Sequence, residues 1–455
     1  MQGKELIKKA FTLESVERAP WVPFVGVHAA ALIGVDAETY LRSTELMIKG
    51  LNEAIKKYNP DGIPVAFDLQ MEAEVLGCKL VWSKDNPPSV NSHPLDEGKA
   101  LAELTIPKKD EGRIGQTLEV ARRLRAQHPD LALYGLITGP FTLALHLMGT
   151  EVFMKMFTDE QNVHDVMAFC TRVCKAMTDY YVEAGCDVIA VVDPMCSQIG
   201  PEQFEQFVTP SCTEVFAHIK VAGAYSSFFV CGHAQHNIEV MCDCKPNNIS
   251  IDENIPLDFV RDICLGRGIS YGGNLKLTVV LLMGDEDDTE RNVVECLDVA
   301  GEDNKGFILS PGCDLAYTTP VANLVASGVI MHDKYQQDIV RALGAKAFDI
   351  LPIDLSQYIE DDVVKIDVVT LDSVACAACQ YMWEAVNRAG QKFGVKVICT
   401  EHSVKTRDGV NFMAAAGVKN IPTTLIDGKI KFVSLIPPVN EIEQAIEEAL
   451  TTKKG

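Results

Sequence analysis

Cys231, Asp252 and Cys313 are residues whose types and positions could do chemistry together, since each follows a short apolar run. Two thiolates and a carboxylate are a sound donor set for Zn2+, and three protein ligands leave a fourth position open to substrate. His233 lies two residues past Cys231 and shares its face if the chain stays extended there, which makes it a further candidate ligand. A metal so placed would hold an incoming thiol as its thiolate, because a coordinated thiol is deprotonated outright. A single buried cysteine is more often a small hydrophobe; it is the trio that points to zinc.

The elements that must position these residues are readable as alternation. Apolar, β-branched runs occur at 22–27, 62–67, 132–137, 188–192, 228–230, 249–251, 269–272 and 307–309. Helix-length segments separate them, with helical spacing clear over 163–177. Eight strands alternating with helices predict an α/β fold, a closed (β/α)8 TIM barrel, over residues 1–349. Chemistry in such a barrel sits at the carboxyl ends of the strands. Those ends here carry His28, Asp68, Thr138-Gly139-Pro140, Asp193, Cys231-Gly232-His233, Asp252-Glu253, Asn274 and Cys313-Asp314. Turn chemistry alone favours Asp, Asn and Gly there, but two cysteines and a carboxylate on three ends exceed it. Asp193, Asn274 and Glu74 are the candidate catalytic groups. Glu72 reads as a solvated helix start, His146 as a partly buried helix residue, and Cys170 and Cys174 as packing. Cys242 and Cys244 form a Cys-x-Cys with no second pair nearby.

Several of these segments resemble the uroporphyrinogen decarboxylase superfamily, within it the corrinoid-dependent methyltransferase branch typified by methylcobalamin:coenzyme M methyltransferases. They are Glu72-Ala73-Glu74-Val75-Leu76-Gly77, Ile137-Thr138-Gly139-Pro140-Phe141-Thr142-Leu143-Ala144, Val192-Asp193-Pro194, Asn248-Ile249-Ser250-Ile251-Asp252-Glu253, Gly273-Asn274-Leu275 and, most specific, Gly306-Phe307-Ile308-Leu309-Ser310-Pro311-Gly312-Cys313-Asp314. The resemblance covers about residues 1–340. It implies a TIM barrel with a zinc that activates the methyl-accepting thiol. It also implies a methyl-corrinoid as the other substrate, either free methylcobalamin or one presented by a separate corrinoid protein. Transfer in the reverse direction, from a methylated small molecule to a corrinoid protein, is equally compatible. The branch carries His-x-Cys-Gly at the end of the fifth strand, and here Phe229 takes the place of that histidine. Either His233, His236 or His28 substitutes for it, or the site runs on Cys231, Asp252 and Cys313 alone. Decarboxylation of a polycarboxylate is disfavoured, because 24–34 holds no arginine to pair with anionic groups.

After residue 315 comes a helix over 319–343 and then an acidic, Pro-containing linker, 350–362. The remainder, 363–455, resembles a small thioredoxin-like α/β domain. It has a strand over 363–371, Cys376-Ala377-Ala378-Cys379 opening a helix over 380–393, a strand over 395–400, and a helix over 409–416. Ile421-Pro422-Thr423-Thr424, a hairpin at Asp427-Gly428 and a helix over 440–452 complete it. A cysteine at a helix start has its thiolate stabilised by the dipole. Cys376 is thus the attacking thiol, and Cys379 resolves the mixed disulfide. Pro422, expected cis, shapes the groove for a thiol partner. A docking module with idle cysteines is the plainer alternative. So is a thiol–disulfide redox protein whose barrel only binds a ligand.

Charge sets the outer limits. The 455 residues carry 41 Lys and Arg against 63 Asp and Glu, a net −22, and the imbalance lies before the tail, where 30 basic residues face 53 acidic ones. That field repels a phosphate backbone, so nucleic acid is not an expected partner. No apolar run reaches the ~18 residues of a membrane span, and the first residues lack the pattern of a signal peptide. With 15 cysteines, the expectation is a cytoplasmic protein with reduced thiols acting on a small-molecule methyl donor or acceptor.

Overall fold

Parallel strands are buried on both faces, and for that reason they read as unbroken apolar runs. The computed structural model describes residues 3–343, 363–374 and 376–453, and in it seven of the eight expected runs are strands. In chain order they are β1 (Gly62–Pro64), a small antiparallel pair β2 (Leu80–Val81) and β3 (Ser89–Val90), then β4 (Ala132–Thr138), β5 (Val188–Val192), β6 (Tyr225–Val230), β7 (Asn248–Ile251), β8 (Ser270–Leu275) and β9 (Phe307–Pro311). The large sheet runs β1-β4-β5-β6-β7-β8-β9, with every pair parallel. The order matches the sequence order, as a barrel requires.

The first expected strand, 22–27, is not one. The Pro20 carbonyl accepts from the Leu309 amide, the Val22 amide donates to the Leu309 carbonyl, and the Trp21 carbonyl accepts from the Asp61 amide, each at 2.9 Å. This short stretch bridges β9 to β1 and closes the ring. Pro23 has no amide hydrogen to extend the ladder, so pairing stops there and the chain turns into the helix His28–Leu32.

Alternate residues fill the barrel: Ala132, Tyr134 and Leu136 of β4 meet Val188, Ala190 and Val192 of β5, with Phe24, Phe67, Phe229 and Ile308 above. The helix Gly3–Phe11 covers the amino end, where Phe11 stacks on Tyr225 with centroids 5.1 Å apart. The expected helix 319–343 is two helices, Val321–His332 and Lys334–Leu343. Asp333 separates them, its carboxylate accepting from the Gln336 amide as a cap.

The chain divides into two compact units, broadly 1–345 and 346–455. The expected linker 350–362 lies outside the described residues. The second unit is a four-stranded sheet of β10 (Val364–Thr370), β11 (Val397–Ser403), β12 (Thr423–Ile426) and β13 (Lys429–Val433), in the order β11-β10-β12-β13. β10 runs parallel to β11 and antiparallel to β12, and β13 is antiparallel to β12. Val364, Ile366 and Val368 pack on Met382, Val386, Ile442 and Ile446, while Val369, Phe412 and Leu425 form a second small core. Asp427 and Gly428 both have positive φ, as a tight two-residue hairpin needs.

Candidate functional site

β6 and β9 deliver Cys231 and Cys313 to the same point, with their sulfurs 3.2 Å apart. Both are partly exposed and rest on the aromatic floor of the barrel mouth. That floor is Phe24, Phe67 and Phe229, with Phe229 centred 5.4 Å from Phe24 and 6.3 Å edge-on from Phe67. The residue replacing the expected histidine is therefore a packing residue, buried to 2% exposure.

Asp252 follows β7, and its carboxylate is taken up by hydrogen bonds, one of them from the residue next to Cys231. It accepts from the Gly232 amide at 3.1 Å, the Asn254 amide at 3.0 Å and the Asn254 Nδ2 at 2.6 Å. Burial raises its pKa against these hydrogen bonds. His233 is half-buried; burial lowers its pKa and its Nδ1 has no hydrogen bond. The His236 ring lies 6.1 Å from it. His28 is fully buried, with Nε2 2.7 Å from the Tyr58 hydroxyl and Nδ1 3.3 Å from the Tyr317 carbonyl. Among the described residues, no three or more His, Cys, Asp and Glu side chains stand where they could hold one metal ion. A catalytic zinc takes three protein donors, and the chain brings together two. The donor set does not fit zinc as it stands.

Glu253, the next residue, stands in the sequence as the strand-end neighbour of Asp252 with no role of its own. Its carboxyl accepts from the Thr278 amide and hydroxyl at 3.4 and 3.3 Å. Burial first, and then Asp252, push its pKa up to about 8. Gly312, beside Cys313, packs directly on it: a Cβ there would lie 2.6 Å from the Glu253 amide nitrogen. The only sequence signal was a second carboxylate at a strand end. Asn274 donates from Nδ2 to the Ile255 carbonyl at 2.7 Å and the Asp252 carbonyl at 3.2 Å, so it pins the loop that carries both acids.

The other candidates have structural surroundings. Asp193 has no exposed surface; it accepts from the Phe141 amide and from the Thr142 amide and hydroxyl at 2.6–3.0 Å, anchoring the start of the helix Pro140–Met148. Gly139 is required beside it, since a Cβ would lie 2.3 Å from Asp193. Glu74 is paired with Arg113 at 2.7 Å, and the same guanidinium pairs with buried Asp68. Arg113, a residue of the helix Gly112–Gln127, thus ties the carboxylate of Asp68, after β1, to that of Glu74 on the helix Met71–Val75. Glu72 is not solvated: it is 1% exposed and bound to the Thr138 amide and hydroxyl. His146, Cys170, Cys174, Cys242 and Cys244 are buried.

In the second unit, Cys376 caps the helix Ala377–Gln391, its sulfur accepting from the Cys379 amide at 3.4 Å. Its pKa is lowered, chiefly by hydrogen bonding from Cys379, whereas burial raises that of Cys379. The Leu371 amide points at the Cys379 sulfur, 3.3 Å away. The Ile421–Pro422 bond is cis. Thr423 pairs with Val369, so Pro422 lies at the end of β10 from which the chain runs to Cys376.

The family model described as Uroporphyrinogen decarboxylase (URO-D) matches residues 2–332. The chain belongs to the uroporphyrinogen decarboxylase family. A thioredoxin-domain model matches residues 364–447. Within the family, the chain is 30% identical over 268 residues to the methylcobamide:CoM methyltransferase of Methanosarcina acetivorans, spanning 58% of this chain and 77% of that protein. It is 28% identical over 328 residues to the protein of the same name in Methanosarcina mazei, spanning 70% and 95%. A solved methyltransferase from Methanosarcina mazei superposes with a TM-score of 0.67 at 23% identity, covering 73% of this chain and 98% of that one, and so shares its fold. No helix among the described residues is long and apolar enough to cross a membrane. In this member of the family, the strand-end sulfurs meet and pack against the cluster that holds Phe24, Phe67 and Phe229.

Proposed function

We propose that the chain is a methyltransferase that moves a methyl group between a methyl-corrinoid and a small thiol at the barrel mouth. The corrinoid is a substrate, free or presented by a separate corrinoid protein. The observation that carries the reading is the meeting of Cys231 and Cys313 at the carboxyl end of a barrel whose relatives include methylcobamide:CoM methyltransferases. In the forward direction the thiol must lose its proton before sulfur takes the methyl group, and the corrinoid then leaves with the bonding pair. Glu253 is the group we assign to that proton, because its backbone packs on Gly312, the neighbour of Cys313, and burial pushes its carboxyl up to about 8, where it exchanges a proton near neutral pH. Asn274 positions the loop bearing Glu253. Phe24, Phe67 and Phe229 keep the floor dry, which favours an uncharged methyl group in transit. Glu74 is fixed by Arg113.

The ligands expected from the sequence, Cys231, Asp252, Cys313 and His233, fall one donor short of a site. The tail acts as a thiol–disulfide module through Cys376 and Cys379, keeping thiols of the barrel or its substrate reduced. The test is anaerobic incubation of the full chain with methylcobalamin and a panel of small thiols. Loss of methylcobalamin absorbance matched by thioether formation is expected. Absence of turnover with every thiol, and with methyl thioethers and reduced corrinoid in the reverse direction, overturns the reading.

A further inference from the structure

The twelve cysteines of the barrel differ in reach. Ten are buried, and Cys231 and Cys313 alone are partly exposed. The two come from strands that are not neighbours in the sheet, yet their sulfurs lie 3.2 Å apart. A disulfide has its sulfurs about 2.05 Å apart, so closing the bond asks roughly 0.6 Å of each, within a small side-chain rotation. A shared tetrahedral zinc would instead spread two thiolates to about 3.8 Å, given Zn–S bonds of about 2.3 Å. Among the described residues no third metal donor stands with the pair: the position two residues before Cys231 is buried Phe229, and Asp252 accepts three hydrogen bonds.

We infer that Cys231 and Cys313 form a dithiol–disulfide couple in the barrel mouth that reduces the disulfides of small thiols. One cysteine, as thiolate, attacks R–S–S–R, forming a mixed disulfide and expelling RS−, which takes up a proton. The second thiolate attacks the cysteine sulfur of that mixed disulfide and expels the other RS−, also protonated. The barrel pair is oxidised by two electrons, and the disulfide is reduced to two R–SH. A thioredoxin-type dithiol reverses the oxidation, and Cys376 with Cys379 is a pair of that chemical class. The activity goes beyond methyl transfer: it needs no corrinoid, and its product is a free thiol of the kind a methyl acceptor must be.

The experiment uses the full chain with Cys376→Ser and Cys379→Ser, which silences the tail pair. Bis(2-hydroxyethyl) disulfide is added anaerobically, the reaction is quenched in acid, thiols are alkylated and peptides are mapped by mass. Two alkylatable thiols per chain should disappear, with one peptide pair joined through Cys231 and Cys313 and two mercaptoethanols released. Dithiothreitol should restore both thiols. Adding Cys231→Ser should stop the reaction at a mixed disulfide on Cys313. Persistent mixed disulfides on both cysteines, a link through other cysteines, or about one bound zinc per chain that blocks thiol loss until chelated would each overturn the proposal. The assay contains no corrinoid, so its failure leaves methyl transfer standing, and the reverse also holds.

Discussion

Cys376 and Cys379 are three residues apart, and one helix start sets their chemistry. Cys231 and Cys313 are 82 residues apart, and the register of a whole parallel sheet sets theirs. In the tail, the backbone donor that favours the Cys376 thiolate is the amide of its own partner, Cys379. Oxidation state there is a local property of about ten residues. In the barrel, the sulfurs meet only because β6, β7, β8 and β9 keep order and the stretch Pro20–Val22 closes the ring. A local pair can be broken by one atom, whereas a long-range pair can also be lost by loosening anything that holds the mouth.

The largest effect should therefore come from the tail. Cys376→Ser removes the attacking sulfur while keeping the cap, since a serine hydroxyl can accept from the Cys379 amide. Reduction of a test disulfide by the tail should fall by roughly a thousandfold or more, with the fold unchanged by circular dichroism. A loss under tenfold would show that Cys376 is not the nucleophile.

Next comes the proton at the barrel mouth, which the tail does not need because its thiolate is already favoured. Glu253→Gln should slow methyl transfer to a thiol by about 100-fold and flatten its rise with pH. The sign follows from the raised pKa: the carboxyl accepts a proton only once ionised, so activity should climb as pH passes through about 8. The folded state also holds this proton where the unfolded chain has lost it. Glu253 therefore costs stability as pH rises from about 4.5 to 8, and Gln should remove that cost. A pH–rate profile for the variant that overlays the parent's would dismiss Glu253.

How far the sequence could be read follows the same division. Parallel strands announce themselves as apolar runs, and seven of them were legible to within a few residues. The run at 22–27 looks like the others, and only Pro23 in its midst signals that the ladder stops after Val22. The tail was legible in full order because a helix-capping Cys-x-x-Cys and Ile-Pro-Thr-Thr are local signatures. At the mouth, the strand ends were readable but not the directions of their side chains. Asp193 reads as catalytic and turns out to hold a helix start. Asp252 reads as a ligand and faces Gly232 and Asn254. Glu253 gave no sign of its raised pKa, because desolvation depends on neighbours such as Thr278 that are remote in the chain.

Acid offers a milder way to separate the two pairs. His28 ties the Tyr317 carbonyl, four residues after Cys313, to the Tyr58 hydroxyl, and burial pushes its pKa down to about 4. The unfolded chain binds this proton from about pH 6.5. Between those values the unfolded state holds more protons, so stability is lost as pH falls, at about 1.4 kcal/mol per unit. His146, lowered to about 3, adds to the slope. Urea unfolding of the barrel should weaken from pH 6.5 to 4.5, and His28→Gln should reduce the slope by one proton's worth. An unchanged slope would mean that His28 does not titrate in this range.

The smallest expected cost, and the sharpest probe of what the barrel pair is, is Phe229→His. The phenyl ring belongs to the floor with Phe24 and Phe67, so exchanging it for a smaller, polar ring should destabilise the barrel by about 1–2 kcal/mol. It also places an imidazole two residues before Cys231, on the same face of β6. The variant would then hold two sulfurs and a nitrogen, a complete three-donor set with an open fourth position. Its zinc content should rise to about one per chain, against well under one for the parent, and the added metal should protect both cysteines from disulfide reagents. If the parent already carries zinc in equal measure, then Asp252 or His233 turns toward the sulfurs when metal is present, and the two cysteine pairs differ in ligand rather than only in construction. If the variant stays metal-free while folded, the 3.2 Å sulfur separation is held too firmly by the aromatic floor to open around an ion, and the barrel pair stands closer in kind to the tail's than to a metal site.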